Sequence, residues 1–338
     1  MKTALIIALV CLLVGALLIG IGWVLLEKYP IEQSNIKDMS YAYNADEVPQ
    51  KINIKTIESR VEILPTEEEQ WRVECKDTET LYHTVELVDG VLTIQQDGTT
   101  RKWYERIGIL NAFQDLSVIV YLPAQTYESL NIDSTSGSIK VQKGFTFTNA
   151  KLDNTSGSIL CASDVTGALN VTNTSGSIKV SGDVKGKVDI QNSSGSITVS
   201  GSVDGDLHIK NTSGSITTSG GVNGKLDIHS GSGSITVKNA TPTSAIVKST
   251  SGGIDLYDVV CQESCEISNT SGSIELERCD AASFDLKTVS GGIRASILTA
   301  KVFDCRSTSG SVRIPENGEG GAFKARSTSG GIRVEIVS

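Results

Sequence analysis

The sequence predicts an all-β protein: a parallel β-helix, or β-solenoid, built of rungs of about 19 residues and preceded by one N-terminal transmembrane helix. Three observations predict this fold. An S-G-[SG]-[IV] motif recurs at a nearly constant spacing, apolar residues alternate with polar ones on both sides of it, and a long uncharged apolar segment lies near the N-terminus. Many copies of a short period are typical of solenoids, in which each rung packs on its neighbours.

The apolar segment, residues 4–26, contains no charged side chain and is long enough to span a bilayer. It is longer than the apolar core of a secretory signal, about 7–15 residues, which favours a retained anchor over the alternative of a cleaved signal. Lys2 and the amino terminus place positive charge on the short side. We therefore expect a short cytoplasmic end at residues 1–3, a single pass through the cell membrane, and an extracellular C-terminal domain.

The chain beyond the membrane divides into three parts. Residues 27–45 show no sustained period and are predicted to be a stalk or linker. Residues 46–129 alternate without the motif and are predicted to form irregular first rungs that cap the solenoid. Within them, residues 101–114 are rich in aromatic side chains, and we expect a loop or short helix over the end of the core, with a binding or membrane-touching loop as the alternative. Residues 130–338 are predicted to form the regular solenoid.

The motif glycine occurs eleven times, at intervals of 19 or 20 residues. Apolar residues recur with period two on each side of it, which is typical of strands with one buried face. The phase of this alternation shifts by one residue across the motif, so the chain must bend there, and glycine readily adopts the positive φ of a sharp corner. The predicted corner glycines are Gly137, Gly157, Gly176, Gly195, Gly214, Gly233, Gly252, Gly272, Gly291, Gly310 and Gly330.

In most rungs, a small polar residue occupies the inward position three residues before the corner glycine. We expect the asparagines among them to stack along the solenoid axis and to hydrogen-bond to one another as an amide ladder. The residues at this position are Ser134, Asn154, Asn173, Asn192, Asn211, Ser230, Asn269 and Ser307.

Composition and spacing argue against several functional classes. The net charge of −9 is not typical of a nucleic-acid-binding protein. No interval between motif glycines exceeds 20 residues, which leaves no room for the loops that build an enzyme cleft on a β-helix. The histidines, His83, His208 and His229, share no motif with a nucleophile, and the latter two fall at outward positions. We therefore expect a protein that is not an enzyme and that has no cofactor or metal site.

The seven cysteines divide by position. Cys11 lies in the predicted membrane helix. A buried free cysteine behaves as a small apolar residue. We expect this behaviour of the cysteines at inward positions, which are Cys75, Cys161, Cys265 and Cys305. Cys261 and Cys279 fall at the same corner of adjacent rungs, where either two free thiols or a disulfide is compatible with the spacing.

Basic residues recur at two outward positions of the late rungs. Parallel stacking places equivalent residues about 4.8 Å apart, so they are predicted to form two columns that flank one edge. Column 1, four residues before the corner, contains Lys248, Lys287, Arg306 and Arg326, and column 2, three residues after it, contains Arg294, Arg313 and Arg333. We expect them to bind an anionic polymer such as a teichoic acid, an acidic glycan or an anionic lipid surface. The alternative for column 1 is neutralisation by Glu266, Asp285 and Asp304.

The last rung is followed by no capping segment. An open parallel edge can pair with another chain. We therefore expect end-on self-association through residues 330–338, with fraying of the last strand as the alternative.

Three sequence features together resemble the bacterial putative-adhesin family of surface β-strand-repeat proteins: the S-G-S-I rungs, I-N-I-K-T-I-E-S-R-V-E-I-L-P-T at 52–66, and V-I-V-Y-L-P at 118–123. The resemblance covers roughly residues 46–338. It implies a parallel β-helix-like domain on the bacterial envelope and no particular ligand. The expected function is therefore that of a membrane-anchored envelope protein used for adhesion or surface interaction. The alternatives are an envelope-stress regulator that acts through protein–protein contact and a passive spacer or coat.

Overall fold

The structure is a computed structural model that describes residues 36–68, 70–98 and 116–337. The predicted membrane helix, residues 4–26, and the aromatic-rich segment, residues 101–114, lie outside the described residues, as do residues 27–35 of the predicted stalk. Within the described ranges, no helix is both long and apolar enough to cross a membrane.

Two extended β-sheets enclose one continuous apolar core. A 3₁₀ helix, Ala45–Glu47, lies between the first two strands. Sheet 1 contains, in spatial order, β1 (Lys37–Tyr43), β4 (Trp71–Asp77), β7 (Ser117–Pro123), β3 (Arg60–Thr66), β9 (Ile139–Val141), β11 (Ile159–Cys161), β14 (Ile178–Val180), β16 (Ile197–Val199), β18 (Ile216–Thr218), β20 (Ile235–Ala240), β22 (Ile254–Val259), β24 (Ile274–Cys279), β26 (Ile293–Ile297), β30 (Ile332–Ile336) and β28 (Val312–Arg313).

Sheet 2 forms the opposite wall of the core. It contains, in spatial order, β5 (Leu81–Val88), β6 (Val91–Gly98), β2 (Lys51–Thr56), β8 (Thr126–Ser136), β10 (Thr146–Ser156), β13 (Leu169–Ser175), β15 (Val188–Ser194), β17 (Leu207–Ser213), β19 (Leu226–Ser232), β21 (Ala245–Ser251), β23 (Ser264–Ser271), β25 (Ser283–Ser290), β29 (Ala322–Ser329) and β27 (Val302–Ser307), with β12 (Asp164–Val165) paired to β10.

Each regular rung places one strand in sheet 2 and the next strand in sheet 1. The strands pair in parallel with their equivalents in neighbouring rungs, as in the register of Ile190 with Ile209 and of Ile197 with Ile216. These isoleucines are fully buried, because alternate side chains along each strand point into the core. The predicted all-β parallel solenoid is therefore confirmed.

The corner between the two strands of a rung lies at the motif glycine. Ten of the eleven predicted corner glycines have positive φ, between 108° and 157°. Gly310 is the exception. Its rung is the outermost at the C-terminal end and has a neighbouring corner, that of Gly330, on one side only. Gly310 still lies at the corner between β27 and β28, as predicted, and it differs from the others only in its φ.

The N-terminal cap contains antiparallel strands, which the sequence analysis did not predict. β1 pairs antiparallel with β4, β4 with β7, and β5 with β6. The β5–β6 hairpin turns at Asp89 and Gly90, both with positive φ, as tight hairpin turns require. The rung of β2 and β3 lies inside this cap, between the rungs of β8–β9 and β6–β7. Reversed strands thus end the parallel stack.

The last rung in sequence is not the last rung in the stack. β29 lies between β25 and β27, and β30 lies between β26 and β28, so the last rung in sequence is inserted beneath the preceding one. The expected open edge is therefore wrong at Ile332 and Arg333, which pair with β28, whereas residues 334–336 pair only with β26 among the described strands. End-on association through residues 330–338 stays a prediction. The outer edge is β27 and β28. Part of it is covered, because Asn317 Oδ1 accepts a hydrogen bond from Phe303 N–H at 2.8 Å and Gly318 N–H donates to Lys301 O at 3.1 Å.

Amide hydrogen exchange tests this order of rungs. Ile293 N–H donates to Gly331 O, and Ile332 N–H donates to Ser311 O, so each of these amides is directed at the next rung outward. The equivalent amide of Val312 is directed outward from β28, beyond which the described chain has no strand. We expect Ile332 to exchange much more slowly than Val312. Faster exchange at Ile332 would show that the rungs stack in sequence order.

The inward asparagines are buried as predicted, but they do not form an amide ladder. Asn192 Nδ2 donates to the backbone oxygen of Gly176, in the preceding rung, at 3.0 Å, and to that of Gly195 at 3.2 Å. Asn211 repeats both contacts one rung later. The corner leaves these carbonyl groups directed at the core, where they need donors. The amides therefore bind corner carbonyl groups and not one another.

Candidate functional site

Column 1 is a continuous line on the outer face of sheet 2. The strand registers place Lys248 opposite Ser268, Ser268 opposite Lys287, Lys287 opposite Arg326, and Arg326 opposite Arg306. Because β29 is inserted, Arg326 lies between Lys287 and Arg306, which is not their order in sequence. The structure therefore brings together the column 1 residues that the sequence predicts.

Column 2 lies on sheet 1, across the corner glycines from column 1. Arg294, Arg333 and Arg313 stand directly opposite one another on β26, β30 and β28. All three side chains are exposed. Like charges opposite one another on paired strands destabilise a sheet, so the packing of the solenoid does not by itself account for three stacked arginines.

Carboxylates partly neutralise column 1, as the alternative interpretation expects. Lys287 Nζ lies 2.7 Å from Asp285 Oδ2, and Arg306 Nε lies 3.3 Å from Asp304 Oδ1. Arg326 also hydrogen-bonds to Asp304, which lowers the pKa of that carboxyl group. Asp304 thus serves two arginines, and the three cations of this part of column 1 share two carboxylates.

Column 2 has two carboxylate partners, Glu335, which follows it in sequence, and Glu275, which the sequence analysis missed. Arg294 Nη1 lies 3.5 Å from Glu275 Oε1, and Arg333 Nη2 lies 3.2 Å from Glu335 Oε2. Glu275 occupies the same outward position as Arg294, one strand earlier. Its rung spacing could have identified it. Among the described residues, Arg313 has no ion-pair partner, so column 2 retains one uncompensated cation at its outer end.

Each column borders a shallow surface groove. The groove over column 1 has a volume of about 760 Å³ and is lined by Lys287, Arg306 and Arg326 together with serine and threonine hydroxyl groups. The groove over column 2 has a volume of about 350 Å³ and is lined by all three arginines together with Glu275 and with glycine and serine residues. Cations and hydroxyl groups arranged across successive strands can bind an extended anion that runs along the solenoid axis.

A buried Ser–His–Asp arrangement lies in the N-terminal cap. His83 Nε2 is 3.0 Å from Ser59 Oγ, and His83 Nδ1 is 2.5 Å from Asp77 Oδ1. These three residues share no sequence motif, and the antiparallel cap brings them together in space. Ser59 is 0% exposed and packs against the corner of Gly137, so its hydroxyl group is closed to substrates. The arrangement satisfies buried polar groups at the end of the corner column.

The cysteines of the described chain are free thiols. Cys261 and Cys279 do not form the disulfide that their spacing allows. Val260 and Asp280 pair with each other in an isolated parallel β-bridge. Cys261 follows Val260 whereas Cys279 precedes Asp280, so the two cysteines are offset along the chain and do not stand opposite each other. Burial raises the pKa of Cys161 and of Cys279 to about 12. Cys75, Cys161 and Cys265 fill the core as predicted, and Cys305 is half-buried.

Comparisons with known proteins give one family. The family model described as Toastrack DUF4097 matches residues 49–238 and 220–338. None of the curated proteins matches the chain.

Several solved structures are similar to the chain. They include a putative cell adhesion protein from Clostridium sporogenes (9% identity, TM-score 0.20, covering 90% of this chain and 100% of that one). A putative adhesin from Bacteroides fragilis has 12% identity, a TM-score of 0.28, and coverage of 89% and 97%. A putative lipid binding protein from Parabacteroides distasonis has 15% identity, a TM-score of 0.37, and coverage of 90% and 98%. At these values the likeness carries no argument about function.

Proposed function

The chain belongs to the Toastrack DUF4097 family, and from this premise we propose that it is a membrane-anchored β-solenoid of a bacterial cell envelope that binds anionic polymers. Residues 4–26 form the anchor in this proposal, and the solenoid lies outside the cell. Its role is binding and not catalysis. The ligand is a teichoic acid, an acidic glycan or another polyanion of the cell surface.

The single observation that carries the proposal is the stacking of Arg294, Arg333 and Arg313 along one groove. The arginines are one strand apart, so successive anionic groups of a linear polymer can contact successive guanidinium groups. Gly292 and Gly331 also line this groove and present no side chain to it. An array of cations along a groove attracts a repeating anion more strongly than one exposed ion pair does.

Both columns lie in the late rungs, at the end of the solenoid opposite the N-terminal cap. The described chain enters the solenoid through that cap, at β1. In the proposed arrangement the cap therefore faces the membrane and the cationic grooves lie at the far end. Such a position suits contact with envelope polymers or with a neighbouring surface.

The test uses the full-length protein in detergent and dextran sulfate as the anionic polymer. We expect binding at about 0.05 M salt that weakens strongly at about 0.5 M salt, since ions screen exposed charges over this range. Replacement of Arg294, Arg313 and Arg333 by glutamine should reduce the affinity at low salt at least about ten-fold. Neutral dextran measures binding that does not depend on charge.

A matched triple variant controls for net charge. Lys185, Lys187 and Lys225 are exposed and lie outside both columns, so their replacement by glutamine removes the same charge elsewhere. This variant should bind nearly as the wild type does. Absence of binding at low salt, or equal losses in the two triple variants, would contradict the proposed site.

A further inference from the structure

Column 1 extends beyond the residues that the sequence analysis identified. On the outer face of sheet 2, Lys210 stands opposite His229, and His229 stands opposite Lys248. Lys210 and Lys248 are exposed, and His229 is half-exposed between them. The line therefore runs from Arg306 to Lys210 across seven neighbouring strands. His229 and Ser268 are its only members that are neither lysine nor arginine.

The charge of this face is finely balanced. At the two outward positions of β15 to β27, six cations (Lys210, Lys248, Lys287, Lys324, Arg306 and Arg326) accompany five carboxylates (Asp189, Asp227, Glu266, Asp285 and Asp304). Histidines supply the remaining titratable groups at these positions, His208 and His229. A single added positive charge is therefore a large relative change in the net charge of the face.

The surroundings of His229 are defined on each neighbouring strand. On its own strand, Asp227 Oδ1 lies 2.8 Å from His229 Nε2. On β17, His208 Nδ1 lies 3.2 Å from Asp227 Oδ2, and Lys210 is opposite His229. On β21, Lys248 is opposite His229, and Ile246 is opposite Asp227. One carboxylate thus bridges two imidazoles, while two ammonium groups flank His229 along the column.

We propose that the polyanion-binding face extends from Arg306 to Lys210, and that protonation of His229 joins its two parts, so that polyanions bind more tightly as the pH falls. An unperturbed imidazole gains its proton near pH 6.5, within the range over which surface environments vary. When His229 is neutral, Lys210 is separated from the rest of the column. When His229 is protonated, Lys210, His229 and Lys248 present three consecutive cations. This inference rests on the proposed function, since it concerns the regulation of the same site.

The experiment measures binding of dextran sulfate to the full-length protein at pH 7.5 and pH 5.5, at fixed low salt. Sulfate groups stay ionised at both values, so a change in affinity reports on the protein. We expect wild-type affinity to rise about three- to ten-fold at pH 5.5, the gain from roughly one added surface cation on a charged face. The His229→Gln variant should lose most of this rise.

Two further variants make the result specific. His229→Lys carries a permanent charge and should bind at pH 7.5 about as tightly as the wild type binds at pH 5.5. His208→Gln removes the other half-exposed histidine, which lies outside column 1, and should keep most of the pH dependence. Thermal unfolding of each variant checks that it is folded.

The outcomes separate the two proposals. Binding that is independent of pH, or a full pH response in His229→Gln, overturns the extension of column 1 and leaves the proposed function standing. Absence of binding at both pH values overturns the proposed function and this inference together. A rise that is lost in His229→Gln and mimicked by His229→Lys supports the inference.

Discussion

Replacement of Gly252 by alanine is expected to destabilise the solenoid by about 3 kcal/mol or more. Gly252 has φ +111°, a conformation that costs an L-residue roughly 1–3 kcal/mol. A Cβ atom there would lie 2.6 Å from the carbonyl carbon of Gly233 and would overlap its oxygen. Both groups belong to the backbone of stacked corners, so neither can move without disturbing the strand pairs. Urea unfolding should show a lower midpoint for the variant.

The adjacent glycine is the matched control. Gly253 has no positive φ, and a Cβ atom there would meet nothing nearer than the Asp255 carboxylate at 3.9 Å. Serine occupies the same position in the neighbouring rungs, as Ser234 and Ser273. Gly253→Ala should therefore change stability by less than about 1 kcal/mol. Similar losses in the two variants would refute the corner geometry.

Replacement of Asn192 by aspartate is expected to cost about 3 kcal/mol or more at neutral pH. The Asn192 amide is 4% exposed, and its nitrogen donates to the carbonyl oxygens of Gly176 and Gly195. A carboxylate oxygen in its place cannot donate and would face two acceptors without the water that solvates it in the unfolded chain. The loss thus combines two broken hydrogen bonds with a buried charge.

The pH dependence of this loss has a definite sign. Burial among acceptors favours the neutral carboxyl, so the folded-state pKa of the new aspartate lies above its unfolded value of about 3.9. The penalty is complete above the folded-state pKa and decreases as the pH falls through it towards 3.9. Relative to the wild type, stability should therefore recover on acidification. Urea unfolding at several pH values measures this difference.

Ser193→Asp is the control for the second prediction. Ser193 is the next residue along the chain and is exposed, so the substitution adds the same charge in water. Its effect should be small and should change little with pH. A loss in Asn192→Asp that is independent of pH would show that the position is solvated.

Much of the fold follows from the sequence alone. The sequence predicts the corner glycines, the inward and outward positions, and both basic columns. In each rung the glycine marks the bend, and the period-two alternation determines which side chains face the core. The column 1 cations and the arginines of column 2 therefore lie where the spacing places them. Glu275 and His229 follow the same phase and could have been identified by extending the columns to earlier rungs.

Only the tertiary structure decided the order of rungs at the two ends. All rungs have the same alternation of inward and outward residues. The final rung in sequence could therefore pair equally well with the outer or the inner side of the rung before it, and the local pattern does not distinguish the two positions. The insertion of β29 and β30 is what places Arg326 and Arg333 in the middle of their columns. The antiparallel cap likewise brings Ser59, Asp77 and His83 together through contacts between strands distant in sequence. Local periodicity fixes the direction of each side chain, whereas long-range pairing determines its neighbours.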